Sequence, residues 1–208
     1  MKNVNDLIEK ATELRHRGLR AGEIADELNI SRETATWLLT RARKEGGAPA
    51  AAPKDIFIDW STIGRSSSRL MLVATCMADM VEEVLNDLDT NVDVVVGVAL
   101  SGVPLANVLA YQYGVELAVM HPGKHQTELG KQVAPQPTMS ENYADVRGKR
   151  CVIVDDVITT GSTMEEAIRL IKDMGGETVA IAVMIDKRGA DTIEGVPARA
   201  LVRIGRVG

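Results

Sequence analysis

The stretch Cys-Val-Ile-Val-Asp-Asp-Val-Ile-Thr-Thr-Gly-Ser-Thr at residues 151–163 decides the fold of this chain, because an apolar run, an acidic pair and a loop of hydroxyls and glycine follow one another without a break. Residues 152–154 are β-branched and suit a buried strand of an α/β sheet. Residues 164–174 then show helical spacing through Ala167, Ile168 and Ile171, so residues 159–163 fall between a strand end and a helix start.

Such a position offers unpaired backbone N–H groups and the positive end of a helix dipole, and with threonine and serine hydroxyls added it suits a phosphate. Asp155 and Asp156 accept hydrogen bonds only when ionised, so they suit hydroxyls or a metal and repel a phosphate. A sugar phosphate satisfies both halves. The loop lacks the Gly-Lys-Ser/Thr ending of a P-loop and the Gly-x-Gly-x-x-Gly of a dinucleotide site. The plain alternative is an ordinary strand-turn-helix capped by Thr163.

These thirteen residues resemble the phosphoribosyl diphosphate (PRPP) motif of type I phosphoribosyltransferases, in the form used by orotate phosphoribosyltransferases. The resemblance implies that Asp155 and Asp156 bind ribose hydroxyls while Thr159, Thr160, Gly161, Ser162 and Thr163 cradle the 5′-phosphate. Upstream, residues 92–98 read as a second buried strand. It leads through Ala99-Leu100-Ser101-Gly102 into a helix at 103–113, with Pro104 in its first turn where a missing N–H is tolerated. Small residues there let backbone approach an anion. The stretch is similar to the diphosphate loop of the same transferases, which makes Leu100, Ser101 and Gly102 expected diphosphate contacts.

The 208 residues carry a formal charge of -5, but residues 1–54 hold ten Lys/Arg against eight Asp/Glu, leaving 14 against 21 for the rest. A slightly basic front on an acidic body is compatible with nucleic-acid binding by the front. No apolar run approaches the ~20 residues of a membrane span and no signal-peptide core opens the chain, so a cytoplasmic protein is expected. Cys76, in a helical pattern, and Cys151 have no metal-ligand spacing and read as small packed side chains, and no metal site of the protein's own is expected.

In the front, Leu7, Ile8, Ala11 and Leu14 form one helical face, and residues 21–28 form a second helix burying Ile24, Ala25 and Leu28. After the turn at Asn29, Ser31 is a natural N-cap of a third helix that buries Ala35, Leu38, Leu39 and Ala42. The segment Gly-Leu-Arg-Ala-Gly-Glu-Ile-Ala-Asp-Glu-Leu-Asn-Ile-Ser-Arg-Glu-Thr-Ala-Thr-Trp-Leu-Leu at 18–39 resembles the helix-turn-helix of bacterial and archaeal regulators. Its expected open face, Ser31, Arg32, Glu33, Thr36, Trp37, Thr40 and Arg41, can reach base edges and phosphates in a major groove. The same geometry also suits a protein–protein module or dimerisation arm.

Residues 46–53, Gly-Gly-Ala-Pro-Ala-Ala-Ala-Pro, read as a linker, giving expected domains at 1–45 and 55–208 with 46–54 between them. Residues 55–60 are expected to begin the second domain as a short strand or arm. A helix capped from residues 66–68 follows, with an inner stripe of Leu70, Val73, Met77, Val81, Val84, Leu85 and Leu88. Residues 116–120 and 178–185 read as further strands, 186–194 as a polar stretch, and 201–207 as an edge strand. Between residues 121 and 145 no apolar period is visible. In orotate phosphoribosyltransferases this position holds a catalytic loop dense in Arg, Lys and His. Here Lys124, His125 and Lys131 are what remains of that pattern, and Lys124 and His125 are the expected catalytic groups if the chain is an enzyme.

A helix-turn-helix fused to an orotate-phosphoribosyltransferase-like domain resembles the archaeal GfcR family of transferase-like transcriptional regulators over nearly the whole chain. The implied fold is α/β, a type I phosphoribosyltransferase-like parallel sheet flanked by helices, behind a small all-α front. The implied function is to bind operator DNA and sense PRPP or a related metabolite, with sugar-catabolism genes as the family's associated targets, and a homodimer on a pseudo-palindromic site is expected. Any Mg²⁺ would ride on the ligand's diphosphate. A working orotate or purine phosphoribosyltransferase is the alternative. An RNA-binding attenuator fits less well, because the front lacks a platform of stacking aromatics.

Overall fold

The computed structural model describes residues 4–43, 55–123 and 136–205. The chain divides into two compact units, Met1–Trp60 and Ser61–Gly208. Among the described residues no helix is long and apolar enough to cross a membrane.

The first unit contains α1 (Val4–His16), α2 (Ala21–Glu27) and α3 (Arg32–Arg43). Apolar residues of the three helices, with Leu28 and Ile30 from the turn between α2 and α3, meet in one core of Ala11, Leu14, Ile24, Ala25, Leu28, Ile30, Ala35 and Leu38. Ile24, Leu28 and Leu38 are fully buried, each worth roughly 1.5–3 kcal/mol of transfer free energy. The turn after α2 passes through Asn29 at φ 53°, a left-handed conformation that asparagine tolerates. Leu39 packs partly buried against the core, whereas Ala42, expected inside, is exposed in the last turn of α3.

Residues 55–60 belong to this unit, contrary to the expected boundary at residue 54. The Asp55 carboxylate accepts the Ser31 N–H at 2.5 Å and the Thr34 hydroxyl at 2.9 Å, so it sits at the start of α3. The Asn29 amide donates to the Ile58 carbonyl at 3.1 Å, and Phe57 packs on the helical core. Hydrogen bonds at a helix N-terminus and a partly buried aromatic outweigh the strand propensity of this segment.

The second unit runs α4 (Ser61–Gly64), α5 (Ser67–Asp87), β1 (Val94–Val98), α6 (Gly102–Tyr113), β2 (Glu116–His121), β3 (Thr138–Met139), β4 (Arg150–Ile158), α7 (Ser162–Asp173), β5 (Glu177–Asp186), β6 (Thr192–Ile193) and β7 (Val196–Arg203). The sheet order is β3-β2-β1-β4-β5-β7-β6. The five inner strands pair in parallel, and the two-residue strands β3 and β6 pair antiparallel at the edges. All five residues of β1 are buried, as expected of a strand covered on both faces. Ser66 caps α5 by accepting the Arg69 N–H at 3.4 Å. The buried stripe of α5 is Ala74, Met77, Ala78, Val81, Val84 and Leu85, whereas Leu88, expected inside, is the C-cap and is 49% exposed.

Two further expectations shift. The closing strand begins at Val196 rather than residue 201, and it lies inside the sheet between β5 and β6. β4 continues through both acids to Ile158, because Asp155, Val157 and Ile158 pair with Val183, Ile185 and Asp186 of β5. The acidic pair is therefore part of the sheet. At the opposite end of β4, Arg150 pins the register of β1 by donating two guanidinium bonds of 2.8 Å and its backbone N–H at 2.9 Å to the Asp93 carboxylate.

Candidate functional site

The chain leaves β1 for β2 on one side and returns to β4 on the other, so connections diverge between β1 and β4. In an open parallel sheet this is where a crevice forms beyond the carboxyl ends of the strands. Both loops singled out in the sequence lie there, residues 99–101 after β1 and residues 159–161 after β4.

The start of α6 presses against β4 through Gly102. A Cβ on this residue would overlap the Val154 carbonyl oxygen and stand 3.0 Å from the Asp155 Cα and 3.2 Å from the Asp155 Oδ1. Only glycine lets α6 begin this close to β4. Asp155 and Asp156 are each 8% exposed, and the Asp156 N–H donates to Asp155 Oδ1 at 2.9 Å. Leu100 is 80% exposed and follows a cis peptide bond from Ala99, while Ser101 is half-buried.

In the second loop Gly161 is buried at φ 90° and is the N-cap of α7, so the helix starts from a left-handed glycine and not from Thr163. Thr160 and Ser162 are exposed with their hydroxyl oxygens 3.0 Å apart, and Thr159 and Thr163 are half-buried. The structure thus brings Asp155, Gly102 and the 159–163 loop to one end of the sheet. Lys124 and His125, the expected catalytic groups, lie outside the described residues, as does Lys131. Among the described residues, no group of three or more His, Cys, Asp and Glu side chains could hold a metal ion.

Two residues of this region, Asp186 and Arg188, were not singled out in the sequence. Asp186, 3% exposed at the end of β5, accepts the N–H groups of Arg188 at 2.7 Å and Gly189 at 3.0 Å. Arg188 lies over Gly161, where a Cβ would collide with its guanidinium, and its Nη1 donates to Glu165 Oε1 at 3.4 Å. The signal available was Asp-Lys-Arg-Gly at residues 186–189, a charged turn directly after an apolar strand.

On α3, Arg32, Glu33, Thr36, Thr40 and Arg41 are exposed along the helix, as expected of its open face. Thr36 and Thr40 turn their hydroxyls back to the carbonyls of Arg32 and Thr36, each at 2.8 Å. Ser31 and Trp37 depart from the open-face expectation. The Ser31 N–H is held by Asp55 and its hydroxyl lies 2.9 Å from that of Thr34, so it serves the start of the helix. The Trp37 ring is half-buried against the unit's own core, with the Arg41 guanidinium 5.1 Å from its centroid.

With this geometry established, residues 59–194 match the family model described as phosphoribosyl transferase domain. A protein of Methanocella arvoryzae named Transcriptional regulator GfcR is 81% identical over 208 residues, covering 100% of both chains. The chain belongs to the GfcR family of transcriptional regulators. A second GfcR relative, from Methanosarcina mazei, is 53% identical over 207 residues and again covers 100% of both chains. Among solved structures, orotate phosphoribosyltransferase from Aeropyrum pernix matches with a TM-score of 0.58 at 22% identity, covering 74% of this chain and 81% of that one. The Mycobacterium tuberculosis orotate phosphoribosyltransferase in complex with PRPP matches with a TM-score of 0.53 at 22% identity, covering 71% and 80%. The chain therefore carries the type I phosphoribosyltransferase fold behind its N-terminal helices.

Proposed function

We propose that this chain is a DNA-binding transcriptional regulator whose phosphoribosyltransferase-like domain senses PRPP or a closely related phosphoribosyl metabolite. The observation that carries the sensing half is that Gly102 packs against Asp155 while the Asp155–Asp156 pair leads into the glycine-hydroxyl loop, all at the same end of the sheet beside its switch point. Buried carboxylates at the strand end suit ribose hydroxyls, and the start of α7 suits a 5′-phosphate. The complex that the tuberculosis enzyme forms with PRPP supports this choice of ligand. Leu100, Ser101 and Gly102 would face the diphosphate, and Mg²⁺ would arrive bound to that diphosphate rather than in a protein cage.

The DNA half rests on the family and on α3, whose Arg32, Glu33, Thr36, Thr40 and Arg41 form an exposed polar strip after a short turn, in the manner of a helix-turn-helix. A cytoplasmic homodimer on a pseudo-palindromic operator, with sugar-catabolism genes as targets, completes the reading. PRPP would act by binding one arrangement of the dimer more tightly, and DNA and PRPP must then alter each other's affinity by the same factor.

The test is a gel shift on promoter fragments from the source organism, with and without PRPP, beside an orotate-consumption assay on the same preparation. The expected outcome is salt-sensitive, sequence-selective binding that PRPP alters, without consumption of orotate. Arg32→Ala should weaken the shift while sparing PRPP binding, and should reduce the slope of log affinity against log salt by about 1. Rapid orotate consumption with no selective shift would establish the transferase alternative instead.

A further inference from the structure

The phosphate loop has a neighbour that its sequence motif does not include. β4 and β5 are adjacent and parallel, and the Lys187 N–H donates to the Ile158 carbonyl at 2.9 Å, so the turn after β5 is stitched to the strand that enters the loop. Asp186 fixes that turn by accepting the Arg188 and Gly189 N–H groups. The Arg188 side chain is thereby led across the loop to Gly161, where its Cδ and Cζ lie 3.3 Å from the position a Cβ would take.

The partner that the guanidinium has there is informative. Glu165 stands in the first turn of α7, where a carboxylate is stabilised by the helix dipole but would repel a dianion seated on the loop. Its ion pair with Arg188 spans 3.4 Å, longer than the roughly 2.7–2.9 Å of a strong charge-assisted bond. Glu165 also faces Arg169 at 3.8 Å, and Arg169 pairs with Glu194 at 3.1 Å, so a second cation remains for Glu165 if Arg188 turns away. A guanidinium has five donors in a planar fork that matches phosphate oxygens.

Resting on the phosphoribosyl reading above, we propose that Arg188 is a 5′-phosphate ligand of this site and that Glu165 is the resident carboxylate a bound phosphate displaces from it. Phosphate entry exchanges one anion for another on a single guanidinium, which leaves Glu165 to Arg169. The turn at residues 187–189 thereby becomes part of the site, closing the loop from the β5 side.

The experiment is calorimetric titration of the full chain and its variants with ribose 5-phosphate and with PRPP. Arg188→Gln should weaken both ligands by about 10- to 100-fold, because both carry the 5′-phosphate. Glu165→Gln should tighten both severalfold, since it removes a competing anion. A purely structural pair predicts the same sign for the two variants, so weakening by Glu165→Gln overturns the proposal even if Arg188→Gln folds poorly. Loss of PRPP affinity alone, with ribose 5-phosphate unchanged, would assign Arg188 to the diphosphate and overturn it as stated. Wild-type binding with Arg188→Gln within twofold defeats this inference only, whereas no wild-type binding of either ligand defeats the phosphoribosyl reading and this one with it.

Discussion

The strand-end site of the α/β unit and the exposed strip of α3 are built on opposite plans. At the strand end the backbone decides: Gly102 has no room for a methyl group, Gly161 takes a left-handed φ, and both acids lie within β4, with Asp155 paired to Val183 of β5. On α3 the side chains decide, since Arg32, Glu33, Thr36, Thr40 and Arg41 project from a regular helix whose fold depends on the opposite face. A side chain added at Gly102 or Gly161 should therefore disturb structure and binding together. One on the α3 strip should change binding and leave the structure alone.

The largest expected effect is at Gly102→Val. Its Cβ must displace the Val154 carbonyl, which destabilises the α/β unit by about 3 kcal/mol, seen as a lower denaturation midpoint with the helical unit's transition unmoved. Next comes Asp155→Asn with Asp156→Asn, which keeps both shapes and removes both charges. It should weaken PRPP by about 100-fold or more in calorimetry while leaving the gel shift without ligand intact. Loss of both activities in a folded double variant would end the contrast drawn above.

Asp55→Ala should lower the stability of the helical unit by about 1–2 kcal/mol, because the α3 N-terminus loses its carboxylate. Unchanged helical melting would return residues 55–60 to the second unit. The smallest effect is electrostatic. The Arg150 guanidinium and backbone N–H beside Asp93 hold its carboxyl at about 2, below the ordinary 3.8. A lowered folded-state pKa stabilises above the unfolded value, and the contribution is lost as pH falls through about 2. The wild type should therefore melt above Asp93→Asn at pH 6, with the gap closing as the pH is taken down to 2.

What could be read from the sequence follows the same division. The strand, acids, loop and helix of residues 151–173 are contiguous, so period and residue chemistry revealed them together. The β1 loop was legible as the same pattern repeated. Arg188 and Asp186 were not, because they reach the loop across the β4–β5 pairing, and no local pattern states which strands are neighbours. Asp55 was missed for a related reason: it lies 24 positions from the Ser31 N–H that it holds, just beyond a segment whose composition reads as a linker. On α3, helical period found the buried Ala35 and Leu38 but put Trp37 outside, since period alone does not see an indole folding back over its own unit under Arg41.

The continuation of β4 through Asp155 and Asp156 has a consequence for how tightly a small ligand can be held. Carboxylates mounted on a central strand have already surrendered their backbone freedom when the chain folds, so a guest need not freeze a floppy segment in order to use them. Such preorganisation would let the compact, strongly hydrated sugar phosphate proposed above be retained with few contacts.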